Sequence, residues 1–492
     1  MKNQVAGLKA CATLLVALSA CRTVSHRPAP PGLPAPPALV AQIDSILAAP
    51  ELERGYWGVL VKSLTTDETL YARNARKLFV PASNMKIVTL AAAAQTLGWN
   101  YTYTTKLVTV GTVENGTLAG DLAIVGSGDP SLVAADGMSD RVFADWASRV
   151  KSAGIRTIAG HIVAVDDRAA DEDALGAGWM WDDLVEDYAA GVGALQLNED
   201  AVRVTIAPGP APGSSAAVSV APFPGTLTID STVITSGTEP TIRIRRLPGS
   251  SRLELRGSIP FGHAPLSYGV AVDDPLQFFA DQLRTALIRN GVDVRGSAIT
   301  APGPKGPGLR EDERRADPFG PALVEYRSAP LSTLAIRLMK ISQNQYAETF
   351  YRTIGGRDAV MKIVQPWGVT PADLIQRDGS GLSRYDLVTP EALVTILTHV
   401  ARDEKLRGPF AASLPVAGSL GLTNRMKGTP AEGNAKAKTG SMTGVRSLSG
   451  YVTSGDGEPL VFSIIANNFD AEPATINRAT DAIIVRLAQF RR

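Results

Sequence analysis

Residues 81–98 read PASNMKIVTLAAAAQTLG, with one serine and one lysine three positions apart at the head of an apolar run. Ile87, Val88, Leu90 and Ala91 to Ala94 leave the run no polar face, so it reads as a helix buried inside a domain. Positions i and i+3 share a helix face, which stands Lys86 one turn after Ser83 with its amine near the hydroxyl. A serine hydroxyl at neutral pH needs a neighbour to take its proton, and a lysine amine stripped of water is neutral enough to do so. The helix start adds free N–H groups and the positive end of the dipole, which suit an oxyanion. The spacing alone is cheap. Ser148-Arg149-Val150-Lys151 repeats it inside RVFADWASRVKSAG, an amphipathic helical pattern, and a lone Ser-x-x-Lys is usually a cap or a surface pair.

Outward from that helix, LVAQIDSILAAPELERG (39–55) has helical spacing, and YWGVLVKSLTTDETLYARN (56–74) reads as two strands around a polar turn. Between 100 and 275 short Val/Thr/Ile runs alternate with Gly and Pro, a β-rich texture broken by the helix around Ser148. Helices dominate from Pro275 to about 410. The end is mixed: AKAKTGSM, SLSGYVTS and PLVFSIIANN read as strands, with the turn Gly455-Asp456-Gly457, and ATINRATDAIIVRLAQF as a last helix. The order predicts a domain with sheet strands from both ends of the chain, split by a large β-rich insertion.

At 492 residues the chain exceeds one hydrophobic core, and 49 Lys+Arg against 48 Asp+Glu give no basic surface for nucleic acid. Lys2 and Lys9, the apolar stretch ACATLLVALSA and then Leu18-Ser19-Ala20-Cys21 form a targeting segment too short to span a bilayer. Leu-Ser-Ala-Cys resembles the bacterial lipobox, which makes residues 1–20 a lipoprotein-type signal and Cys21 the lipidated residue; a plain signal peptide cut nearby is the alternative. Six prolines between Pro28 and Pro37 make 21–38 an extended tether. The folded body then stands outside the cytoplasm on the periplasmic side, with Arg22 after the cysteine leaning towards the outer membrane. His26, His161, His263 and His399 are scattered and supply no zinc site, and no Gly-x-Ser-x-Gly elbow occurs. No metal or organic cofactor is called for.

Two further motifs change the standing of Ser83. Ser342-Gln343-Asn344 is the only Ser-x-Asn in the chain, and Lys438-Thr439-Gly440 the only Lys-Thr/Ser-Gly. Ser-x-x-Lys, Ser-x-Asn and Lys-Thr-Gly in that order are the motifs of the active-site serine penicillin-recognising enzymes. The chain resembles a class C low-molecular-mass penicillin-binding protein, a D-alanyl-D-alanine carboxypeptidase/endopeptidase. The likeness extends to GDLAIVGSGDPSL, GWMWDDLVEDY, ALQLNED, DGSGLSRYDLVTP and RMKGTPAEGNAKAKTGSMTGVRSLSGYV, and to the long stretch between Lys86 and Ser342. After Tyr188 the chain departs from the family with Ala189-Ala190-Gly191-Val192-Gly193.

The resemblance implies an α+β fold: a serine β-lactamase/transpeptidase-like domain, its antiparallel sheet flanked by helices, from 39–98 and 272–492. The β-rich insertion would be 99–271, in two subdomains, the second about 199–258. It implies acyl transfer on peptidoglycan stem peptides, and on β-lactams that mimic them, with Ser83 as nucleophile and Lys86 as base. Ser342 would relay a proton to the leaving amine and Asn344 would hold the substrate amide or Lys86. Lys438 and Thr439 would attract the substrate carboxylate, with the field of Lys438 lowering the pKa of Lys86. Gly440 would keep the strand open, and the N–H groups of Ser83 and Ser441 would form the oxyanion hole. The alternatives are a peptidoglycan-binding lipoprotein without turnover, marked by a lost catalytic residue, and a β-lactamase or esterase on the same fold.

Overall fold

The computed structural model describes residues 37–133, 137–166, 174–302 and 321–492. The signal segment, Cys21 and nearly all of the tether lie outside them. The first helix, Pro37–Leu47, begins on a proline, whose missing N–H is no loss in a first turn, so the expected tether boundary at 38 falls inside the helix.

Alternation along two strands builds the centre of the molecule. Trp57, Val59 and Val61 of Tyr56–Ser63 and Leu460, Phe462 and Ile464 of Pro459–Asn467 point to one face, where Pro37–Leu47 and the last helix, Pro473–Gln489, cover them. Leu60, Val461 and Ile465 point to the other, into a second core with the helix Met85–Leu97 at its middle. The sheet is antiparallel throughout. Its order runs Thr69–Arg73, Tyr56–Ser63, Pro459–Asn467, Val445–Thr453, Lys436–Met442, with Val59 opposite Ile464 and Lys438 opposite Ser449. Strands from both ends of the chain meet here, as the order of elements predicted, and Lys436–Met442 is left as an edge.

The insertion is larger than expected at its C-terminal side. A seven-stranded sheet takes Thr104–Glu114 and Thr117–Gly126 as its hairpin, then adds Asp293–Val294, Ala298–Pro302 and Val324–Arg327. The helix Pro275–Arg289 buries Phe278, Phe279 and Leu283 in the same core as Leu122 and Ile124. The chain therefore returns to the catalytic unit after Arg327 and not at 272. An amphipathic helix after Pro275 looked the same from sequence whichever sheet it covered.

The expected second subdomain, about 199–258, does not close within those bounds: its strand Ala201–Ala207 lies between Ala217–Ala221 and Leu266–Ala271, which follows 258. Val202, Val204, Leu253 and Leu255 share one buried cluster with the seven-stranded sheet. Ser148 is exposed in mid-helix on Met138–Ser152 and Lys151 Nζ donates to the Asn290 carbonyl at 2.9 Å, so this second Ser-x-x-Lys is a surface pair.

Phe350, fully buried and stacked on Tyr103 with ring centroids 6.4 Å apart, joins the helix Asn344–Thr353 to the helical core. Phe350→Ala is expected to cost about 3–5 kcal/mol and to lower the melting temperature measurably by calorimetry. A loss below about 1 kcal/mol would contradict this packing.

Candidate active site

Ser83 lies in a single 3-10 turn, Ala82–Asn84, that runs into the helix Met85–Leu97. Ala82 has a left-handed backbone with φ of 47°, a conformation that costs free energy for a residue with a Cβ and is found where surroundings impose it. Two neighbours impose it here. Ser447 Oγ donates to the Pro81 carbonyl at 2.6 Å, and Asn84 Nδ2 donates to the Lys438 carbonyl at 2.8 Å, tying the turn to the edge of the sheet. Ser83 does not cap the helix, nor does any other side chain at this helix start. The hydroxyl is 2.8 Å from Lys86 Nζ instead.

Lys86 is completely buried and has two further partners, Asn344 Oδ1 at 2.6 Å and the Ser380 carbonyl at 2.9 Å. Neither can donate to it. A neutral amine has two N–H bonds and one lone pair, so these two acceptors take both protons and leave the lone pair facing the Ser83 hydroxyl. Burial brings the amine down to about 7, against the opposing pull of Asp378, Glu348 and Asp386.

Ser342 sits between the helices Leu331–Lys340 and Asn344–Thr353 with φ of 63°. Gln343 caps the second helix by accepting from Gln345 N at 3.0 Å, which leaves the Ser342 hydroxyl free to accept from Lys438 Nζ at 2.8 Å. Lys438 is also fully buried and well below its ordinary pKa, through burial first and repulsion from Lys86 second. Burial is the largest cause that lowers Lys86, and repulsion between the two amines adds to the lowering of Lys438.

Gly440 lies against Ser83. A Cβ built there would stand 3.0 Å from Ser83 N and 2.7 Å from the Pro81 carbonyl, so only glycine lets the edge strand pass. Thr439 is half-buried and Ser441 exposed on the same strand. All eight residues expected at the site, Ser83, Lys86, Ser342, Asn344, Lys438, Thr439, Gly440 and Ser441, thus belong to two helix starts and one sheet edge that converge.

Residues 39–490 match the model of the D-Ala-D-Ala carboxypeptidase 3 (S13) family. The chain belongs to that family. It is a serine D-Ala-D-Ala carboxypeptidase, a hydrolase. A D-alanyl-D-alanine carboxypeptidase of Actinomadura sp. (strain R39) is 35% identical over 473 residues, 91% of this chain and 84% of that one. The carboxypeptidase DacB of Haemophilus influenzae is 26% identical over 430 residues, covering 84% and 85%. The crystal structure of penicillin-binding protein 4 from Haemophilus influenzae superposes with a TM-score of 0.78 at 24% identity, over 91% of this chain and 99% of that one, which shows the shared fold.

The carboxypeptidase site has a third wall that motif reading missed. Asn344 Nδ2 donates to the Tyr188 carbonyl at 2.8 Å, and this fixes which end of the amide faces Lys86. Tyr188 supplies a backbone atom that no side-chain pattern reports.

Beneath Lys86 the loop 378–386 carries buried carboxyl groups. Glu348 accepts from Gly379 N at 2.9 Å and Ser380 N at 2.7 Å, and burial raises it to about 7. Asp378 accepts from Gly381 N, Ser383 N and the Trp179 indole at 2.7, 2.6 and 2.8 Å. Asp386 is pushed well above the usual carboxylate range by burial and then by Asp378, and its Oδ2 faces no donor. The side chain of Asp378 in turn favours a proton on Asp386. DGSGLSRYD was visible in the sequence as a resemblance to the family, but nothing in it said that its acids turn inward.

Lys86 can take a proton from the Ser83 hydroxyl only when its amine is neutral. The rate of serine acylation by penicillin is expected to fall as pH drops through about 7 and to level off above it, measured by stopped-flow or quenched labelling. A rate flat between about pH 6 and 8 would remove Lys86 from that role.

Proposed function

We propose that Ser83 is the nucleophile of this carboxypeptidase and Lys86 its general base, acting on peptidoglycan stem peptides that end in D-alanyl-D-alanine. The observation that carries the reading is the set of three acceptors around the buried Lys86 amine, Ser83 Oγ, Asn344 Oδ1 and the Ser380 carbonyl. Ser83 Oγ attacks the carbonyl between the two D-alanines while its proton passes to Lys86. The N–H groups of Ser83 and Ser441 receive the oxyanion; the close approach of Gly440 to Ser83 N supports this pairing. Ser342, bonded to Lys438, lies where a proton reaches the leaving amine. The bond to the terminal D-alanine breaks, and water then hydrolyses the acyl-enzyme with Lys86 again taking the proton.

Lys438 and Thr439 hold the terminal carboxylate of the substrate. Arrival of that anion favours the charged form of Lys438, and a charged Lys438 disfavours charge on Lys86. Substrate binding thereby clears the base for its task. Ala437 N already donates to the Pro415 carbonyl at 2.9 Å, and the edge of Lys436–Met442 beyond it offers backbone groups to an extended peptide lying alongside. The same acyl transfer serves a D,D cross-link, where the leaving amine belongs to a diamino acid. A β-lactam presents its ring carbonyl to Ser83 in the place of the peptide bond.

The protein works in the cell envelope, on the periplasmic side, held to the outer membrane by a lipid on Cys21. Leu18-Ser19-Ala20-Cys21 and the proline-rich segment after it support this. No helix among the described residues is long and apolar enough to cross a membrane.

Two experiments test the reading. Penicillin is expected to add covalently to the Ser83 peptide, seen by mass spectrometry, and Ser83→Ala to release D-alanine from a D-alanyl-D-alanine peptide at least about a thousandfold more slowly. An adduct on another residue would overturn the assignment. Cys21→Ser is expected to move the full-length protein from the membrane fraction to the soluble periplasmic extract; continued membrane association would remove the lipid anchor.

A further inference from the structure

Lys86 is aimed at Ser83 because two acceptors occupy its protons, and one of these acceptors is a backbone carbonyl with no obvious reason to point inward. The Ser380 carbonyl belongs to the peptide unit that also carries Gly381 N–H. In a planar trans peptide the two groups point in opposite directions, so whatever holds the N–H aims the carbonyl. Gly381 N donates to Asp378 Oδ1 at 2.7 Å, and the Ser380 carbonyl accepts from Lys86 Nζ at 2.9 Å on the other side.

We propose that Asp378 is a positioning residue for Lys86: by holding Gly381 N–H, its carboxylate locks the Ser380–Gly381 peptide so that the Ser380 carbonyl takes one proton of the amine and turns the lone pair to Ser83. This rests on the roles given above to Ser83 and Lys86.

The carboxylate is itself held rigidly. Its Oδ2 receives Ser383 N at 2.6 Å and the Trp179 indole N–H at 2.8 Å. Asp378 is 1% exposed, so no water competes for these contacts. The indole comes from the insertion, which in this way reaches Lys86 through Asp378 as well as through the Tyr188–Asn344 bond. Gly381 also fits the role: its φ is +83°, and a Cβ there would collide with the Ala82 carbonyl. The locked peptide therefore presses directly on the turn that carries Ser83. Gly379, two residues earlier, is fixed independently, with its carbonyl accepting from Thr89 Oγ1 at 2.7 Å and its N–H given to Glu348. Rotation of the Ser380–Gly381 peptide is thus controlled chiefly by Asp378.

The charged and titratable groups facing Lys86 are Asp378 and Asp386 from the loop, Glu348 from the helix Asn344–Thr353, and Lys438 from the sheet edge. Asp378 comes first among those that keep a proton on Lys86. Asp378→Asn leaves Asp386 free to ionise and to replace part of the lost charge, so the double variant with Asp386→Asn carries the larger shift.

The experiment is the pH dependence of penicillin acylation, resolved into noncovalent affinity and limiting rate, for the native protein, Asp378→Asn, Asp378→Asn/Asp386→Asn and Trp179→Phe. Asp378→Asn is expected to lower the limiting rate at least about tenfold, with affinity changed less than about twofold. The acid limb is expected to move to lower pH, further in the double variant. A merely structural residue would lower the active fraction without moving that limb.

Trp179→Phe keeps an aromatic ring while removing the indole N–H together with the five-membered ring that bears it, and is expected to slow the limiting rate about threefold at unchanged affinity. It decides the matter if the Asp378 variants fail to fold. Native rates with an unmoved limb, a loss confined to affinity, or a Trp179→Phe protein as fast as the native one would each overturn the proposal. The two failures are distinguishable: a native protein with no adduct on Ser83 defeats the reading of the site. A native adduct that forms equally fast in Asp378→Asn defeats only the role of Asp378.

Discussion

The burial of the Lys86 amine is the constraint from which the rest of the site follows. An ammonium taken out of water without compensation costs several kcal/mol, so a fully buried lysine either loses its proton or is surrounded by oxygen. Here both happen in part. Burial lowers the amine to about 7, and Ser83, Asn344 and Ser380 supply three acceptors that fit three N–H bonds when it is charged. When it is neutral, two of the three are obligate acceptors and the third is the hydroxyl to be activated. The same shell accommodates both protonation states, as a group that takes and returns a proton in each half of an acyl transfer requires.

That shell is assembled from widely separated stretches of the chain. The nucleophile turn is tied to the sheet edge by Ser447 and Asn84, while Ser342 and Asn344 flank the start of the neighbouring helix. A loop whose inward acids grip its own backbone brings the Ser380 carbonyl. The strained backbones at Ala82 and Ser342 sit at the two joins, where packing against other elements outweighs the local preference.

The insertion has its own core and its own sheets, yet it reaches groups that face Lys86 through the Tyr188 carbonyl and the Trp179 indole nitrogen. The first orients the Asn344 amide and the second anchors Asp378. Its part in the site is therefore positional, exerted through hydrogen bonds to groups that themselves face Lys86. The rest of its mass is accounted for by a buried cluster that includes Trp146, Phe278 and Phe279.

Period-two alternation in the strands and the unbroken apolar run after Lys86 were enough to read, from sequence alone, a sheet closed by both chain ends and a buried nucleophile helix. Three short motifs in a fixed order pointed to residues that the fold brings together, because a serine, a lysine and a Lys-Thr-Gly strand are side-chain requirements and side chains are what a sequence records. The end of the insertion was misplaced because Pro275–Arg289 is equally amphipathic whichever sheet it covers. Tyr188 and Ser380 could not be read at all, since each contributes a carbonyl that every residue possesses. Which carbonyl turns toward Lys86, and which carboxyl keeps its charge, depends on the direction of a peptide plane and on exclusion of water, and only the packed tertiary structure decides those.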